Sequence, residues 1–144
     1  MVYPIAMARK REFDSEQVLR SATLVFAQFG YSGTSIDQLV ERTGLLRGSI
    51  YQAFASKAGL FRACLAEQVR ALCSDQLTDK ALLSDLLIVA MWERARVDRD
   101  IASLVVQALP VLEACEQQSR AEVLFTRLVL RCGLSIDDKE LEWS

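Results

Sequence analysis

Between Leu46 and Phe54 the chain reads L-R-G-S-I-Y-Q-A-F, an odd segment if its only task is packing. On a helix, Ile50 and Phe54 stand at i, i+4 and make one narrow apolar edge. Arg47, Gly48, Ser49, Tyr51 and Gln52 then face outward. Arginine and glutamine can bond to base edges in pairs, and serine and tyrosine hydroxyls reach phosphates. Gly48, lacking a Cβ, lets the backbone come close to a sugar-phosphate rail. Bond-making chemistry has far less to work with. The chain has no histidine to act as a base, no G-x-S-x-G and no phosphate-cradling glycine loop. Asp137, Asp138, Glu140 and Glu142 are paired acids, but they crowd into an acidic terminal stretch that reads as a solvated tail.

What must hold the outward set is legible just before it. Ser35 and Gln38 form an S-x-x-Q capping box, so a helix starts at Ser35. Ile36, Leu39 and Val40 fall on its inner face. Gly44 sits where the chain must leave the helix and turn, a place for the left-handed backbone that glycine adopts freely. Two helices joined by a tight glycine turn, the second polar and small-sided, form a helix-turn-helix.

The full run, G-Y-S-G-T-S-I-D-Q-L-V-E-R-T-G-L-L-R-G-S-I-Y-Q-A-F-A-S-K-A-G-L over residues 30–60, resembles the N-terminal domain of TetR-type transcriptional regulators. Its match includes Gly30, Tyr31, Gly44, Gly48, Tyr51, Phe54 and Lys57. The resemblance implies an all-helical homodimer whose third helix enters the major groove of a palindromic operator. It implies base readout by Arg47, Gly48, Ser49 and Gln52, and phosphate contacts from Thr34, Ser35, Tyr51 and Lys57. It also implies a helical body with a small apolar ligand pocket and repression relieved by that ligand; apart from the resemblance, a cytoplasmic protein without cofactor is expected.

The chain departs from the family in three places. Leu46 replaces the usual small polar cap of the third helix, at a cost of about 1 kcal/mol. Gly59 lies early in a fourth helix, where glycine costs about 1 kcal/mol against alanine. The body after Cys73 is shorter than is usual in the family. A shortened helix-turn-helix protein that pairs with another regulator, reading DNA poorly alone, is the alternative to an operator reader.

The rest of the chain reads as helix. A first helix is expected from an Asp14 cap to Phe29, with Val18, Ala22, Val25, Phe26 and Phe29 on one stripe. Phe26 and Phe29 should join Leu39, Ile50 and Phe54 in the core. Ser56 should cap a fourth helix running to Cys73, with Leu60, Phe61, Cys64 and Leu65 inward and Lys57 in its first turn. There the helix dipole disfavours a cation, which fits a phosphate nearby. Met1–Phe13 reads as a tail, Met7 is the better start, and Arg9, Lys10 and Arg11 would form a basic arm. Further helices are expected over Lys80–Val97, Asp100–Gln118 and Ser119–Cys132, with Asp79, Asp98 and Asp100 at starts or joints. Leu82, Leu83, Leu86, Leu87, Ala90 and Met91 are apolar around more than one face. Pro110 should kink its helix or open a new one. The domains are thus 12–72, a DNA-binding head with its motif at about 35–54, and 73–144, a helical regulatory and dimerisation region.

Composition agrees with an all-α chain. Apolar residues make up 51% of its 144, with two prolines and six glycines to interrupt helices. The formal net charge of −2 hides an asymmetry. Residues 1–62 hold eight Lys/Arg against five Asp/Glu, a net +3, and the remainder nine against fourteen, a net −5. A basic head on an acidic body is what a protein that meets phosphate with one end should show. Cys64, Cys73, Cys115 and Cys132 have no metal-ligand spacing and are expected as reduced thiols. No apolar run approaches the ~20 residues of a membrane helix, and no secretory signal is evident.

Overall fold

Helix follows helix because little interrupts the chain. The computed structural model describes residues 5–133, with side chains from Ser15 onward. Its α-helices are α1 (Ile5–Phe29), α2 (Ile36–Thr43), α3 (Arg47–Phe54), α4 (Lys57–Cys73), α5 (Lys80–Val89), α6 (Arg99–Glu116) and α7 (Arg120–Arg131). No strand occurs among the described residues. None of the described helices is long and apolar enough to cross a membrane.

Helix α1 begins at Ile5, well before the Asp14 cap read from the sequence, because no glycine or proline separates Ile5 from Phe29. The side chains of Arg9, Lys10 and Arg11 lie outside the described part, as do Met1–Pro4 and residues 134–144. At the other end of α1, Phe26 is fully buried but Phe29 is 43% exposed. Phe29 therefore leaves the core set, and Tyr31 takes its place. The Tyr31 ring meets Phe61 edge-on at 5.4 Å, and Phe61 meets Phe26 the same way at 5.0 Å.

One apolar core joins head and body. Phe26, Leu39, Ile50 and Phe61 are continuous in it with Leu83, Leu86, Leu87, Ile101 and Leu112. Helix α4 runs between the two parts, packing on α1 and α3 at one side and on α6 at the other. Cys64 lies in this core, and burial pushes its thiol up to about 12, so it stays protonated and unreactive. Helix α5 is buried on several sides, as its sequence requires, although Met91 just beyond it is 43% exposed.

The helix expected over Lys80–Val97 is continuous to Arg94 but not α throughout. After Val89 the backbone widens into a π-helical turn at Ala90–Arg94, closed by the Ala95 N–H donating to the Ala90 carbonyl at 2.7 Å. Glu93 and Arg94 lie within this turn, a kind of bulge often found at functional sites. Asp98 caps α6 through the N–H groups of Asp100 and Ile101, at 3.1 and 3.2 Å. Pro110 opens no new helix: α6 continues through it to Glu116. Ser119 and Glu122 cap α7 with a reciprocal box. The Arg127 guanidinium grips Asp85 of α5 with two hydrogen bonds, at 2.9 and 2.7 Å, and ties α7 to the body.

Candidate nucleic-acid interface

The helix pair α2–α3 is built as local chemistry dictates. The Ser35 hydroxyl accepts from the Gln38 N–H at 3.1 Å, and the Gln38 side chain accepts from the Ser35 N–H at 2.7 Å. Leu39 is fully buried, and Ile36 and Val40 pack against the same core. Gly44 takes φ +72° and donates its N–H to Val40, ending α2. Leu46 stands at the start of α3 without a side-chain cap and is 76% exposed. No side chain of Leu46 caps the first N–H groups of α3, and no acid lies in its first turn, a polarity that favours an anion. Ile50 is buried and Phe54 half-buried, so the narrow apolar edge anchors the helix.

On the opposite side Arg47, Gly48, Tyr51 and Gln52 are exposed, and Ser49 is half-buried beside Ser15 and Val18 of α1. Arg47 pairs with Asp37 of α2 across the exposed surface, an ion pair that solvent weakens and a phosphate or base edge can replace. A Cβ on Gly48 would meet nothing within 4 Å. Nothing in the chain itself requires glycine there. Gly59 contrasts with it: a Cβ at that position would lie 1.9 Å from the Phe54 carbonyl oxygen, so glycine is dictated by the close approach of α3 and α4.

Two of the anticipated phosphate contacts are used internally. Thr34 is 1% exposed, and its hydroxyl donates to the Gly30 carbonyl at 2.6 Å. It closes the turn after α1 and lies off the outer surface, which corrects its assignment as a phosphate contact. The Lys57 ammonium donates to the carbonyls of Tyr31 and Thr34 at 3.1 and 3.0 Å, leaving one of its three protons for anything outside. Ser35 and Tyr51 remain exposed.

Residues 18–64 match the family described as "Bacterial regulatory proteins, tetR family". The head is thus similar to TetR-type DNA-binding domains. Over 55 residues the chain is 42% identical to an uncharacterized HTH-type transcriptional regulator, YezE of Bacillus subtilis, covering 38% of this chain and 28% of that one. It is 34% identical over 91 residues to the HTH-type transcriptional repressor BdcR of Escherichia coli, covering 61% and 46%. A longer alignment, 132 residues at 26% identity, joins it to the HTH-type transcriptional regulator SrpR of Pseudomonas putida, covering 89% and 55%. The chain thus spans about half or less of these relatives' length.

Sequence reasoning missed one contributor to this head. Glu93, from the π turn, accepts the Tyr31 N–H at 3.0 Å and the Ser32 N–H at 2.7 Å. Burial pushes its carboxyl up, but the bonds from Ser32 and Tyr31 and the Lys57 charge outweigh that and hold it below the usual carboxylate range. Beside it the Arg94 guanidinium stacks 4.5 Å over the Tyr31 ring. Nothing local in the sequence marks Glu93, which stands 62 residues from Tyr31.

Proposed function

We propose that this chain is a sequence-specific DNA-binding regulator of transcription that reads its operator with α3. The supporting observation is Gly48: it is exposed, free of internal contacts and flanked by Arg47, Ser49, Tyr51 and Gln52. A helix that needs no glycine for its own packing has room for the backbone of a partner. Arg47, Gly48, Ser49 and Gln52 face the bases; Ser35, Tyr51 and the outer proton of Lys57 face the phosphates. The head comprises residues 12–72, and residues 73–144 are the regulatory and dimerisation region.

The working form is a homodimer on a palindromic operator, in the cytoplasm, and its action is binding without catalysis. Helix α7 supports the dimer, since it has no buried residue and leaves Leu128 and Leu130 exposed for a second copy to cover. The name of the relative BdcR supports repression. A small apolar ligand in the body relieves that repression.

Selection from a random duplex library tests this reading. A regulator enriches one symmetric sequence and binds it with a large specific-to-nonspecific ratio, while affinity falls steeply with salt. Enrichment of nothing, with binding set by charge alone, would leave α3 without a reading role.

A further inference from the structure

The π turn places Glu93 on two surfaces at once. One is the turn between α1 and α2, held through the N–H groups of Tyr31 and Ser32. The other is an open groove of about 590 Å³ along the π turn and α7, lined by Val89, Leu124, Leu128 and the largely exposed Trp92, with Glu93 and Arg131 as its charged groups. That volume falls within the range of small-molecule sites, and an apolar wall with few polar groups is their usual character.

The two charged groups differ in what they have left to offer. Arg131 donates from one guanidinium nitrogen to the Ala27 carbonyl and has Asp85 3.9 Å away, so its charge is met from within the chain, at a carboxylate that Arg127 also grips. Glu93 accepts the Tyr31 N–H on Oε1 and the Ser32 N–H on Oε2, with the Ser32 side chain beside them, and its two oxygens offer about four lone-pair sites in all. The turn lies close against it: a Cβ on Gly30 would stand 2.6 Å from Glu93 Oε1. Movement of this carboxylate is therefore felt at the turn directly. The same turn is held on its carbonyl side by Lys57, so its position fixes where α2 leaves α1 and hence how α3 is presented.

We propose that Glu93 couples this groove to the head, and that an apolar molecule bearing a protonated amine acts there by drawing the carboxylate away from the Tyr31 and Ser32 N–H groups. The inference rests on the regulator reading above. The released N–H groups turn to water, which Ser32 already meets at the surface. The ligand shifts the head only by its differential affinity for the two arrangements.

Three probes with one tail separate the parts of this claim: octylamine, 1-octanol and octanoate. In a Trp143→Phe chain, Trp92 fluorescence reports entry to the groove. Amide exchange at Tyr31 and Ser32 reports the turn, and affinity for the selected operator reports the head. Octylamine should change Trp92 emission, speed exchange at both amides and weaken operator binding roughly tenfold. Octanol should enter without either effect, and octanoate should bind least. In Glu93→Gln the amine should lose its advantage over octanol in all three readouts. Equal weakening of Glu93→Gln by the amine, or octylamine bound with exchange unchanged, would overturn the coupling. Tighter binding of octanoate would overturn the ligand class. A chain that selects no operator before any probe is added contradicts the regulator reading instead, while amide exchange still tests the coupling.

Discussion

The ammonium of Lys57 stands 4.5 Å from the centre of the Tyr31 ring while donating to the Tyr31 carbonyl at 3.1 Å. One cation thus holds both the backbone and the ring of the residue that joins α1 to α2. Lys57 lies at the start of α4, where the helix dipole opposes it, and these partners offset that cost.

Lys57→Met keeps the stem and removes the charge. It should lower unfolding stability by about 2 kcal/mol, because two carbonyls lose a charged donor. Urea denaturation measures this. Unchanged stability would mean the ammonium is held by solvent and is free for phosphate.

The two glycines of the reading region should behave oppositely. Gly59→Ala drives a Cβ to 1.9 Å from the Phe54 carbonyl and should destabilise the head by several kcal/mol, on the order of 3. Gly48→Ala meets open space and should stabilise α3 by up to about 1 kcal/mol while weakening operator binding. Thermal unfolding and a binding titration on the same two proteins decide the matter. A Gly48→Ala chain that binds as before would remove the case for close backbone approach.

Ala55, which ends α3, has φ +66° and ψ −35°, a conformation that a residue with a Cβ resists. Ala55→Gly should therefore raise stability by about 1 kcal/mol, the relieved strain exceeding the added chain entropy. Equilibrium unfolding gives the sign at once, and a loss of stability would show the position unstrained.

The Glu93 clamp should fade in acid. Its carboxyl is held below its unfolded value near about 4.3, so its contribution is complete above that pH and disappears as pH falls through the depressed folded value. The stability difference between the native chain and Glu93→Gln isolates it from other carboxyls. That difference should be constant above about pH 5 and shrink toward zero below about pH 4. A difference that does not change with pH would mean Glu93 is not ionised where it sits.

The sequence was informative where chemistry is local. The Ser35–Gln38 box, the Gly44 turn and the inward Leu39 and Ile50 follow from residues within one or two helical turns of one another. The outward face of α3 was legible because Gly48 and Gln52 have no packing role and Arg47 meets only the exposed Asp37. Side chains whose surroundings depend on how the turn after α1 folds, or on a distant partner, were misread. Thr34 looks like a surface hydroxyl until the Gly30 carbonyl is seen beneath it, and Phe29 looks like core until Tyr31 fills that place. Glu93 was invisible because a π turn, which has no sequence signal of its own, aims it at the head.

Base reading by α3 is tested most directly at Gln52. On the operator selected by the native chain, Gln52→Ala should relax preference at one position in each half-site and cost about 1–3 kcal/mol there, with stability unchanged. Identical preference and affinity in the two proteins would contradict the account, and the reading surface would have to lie elsewhere.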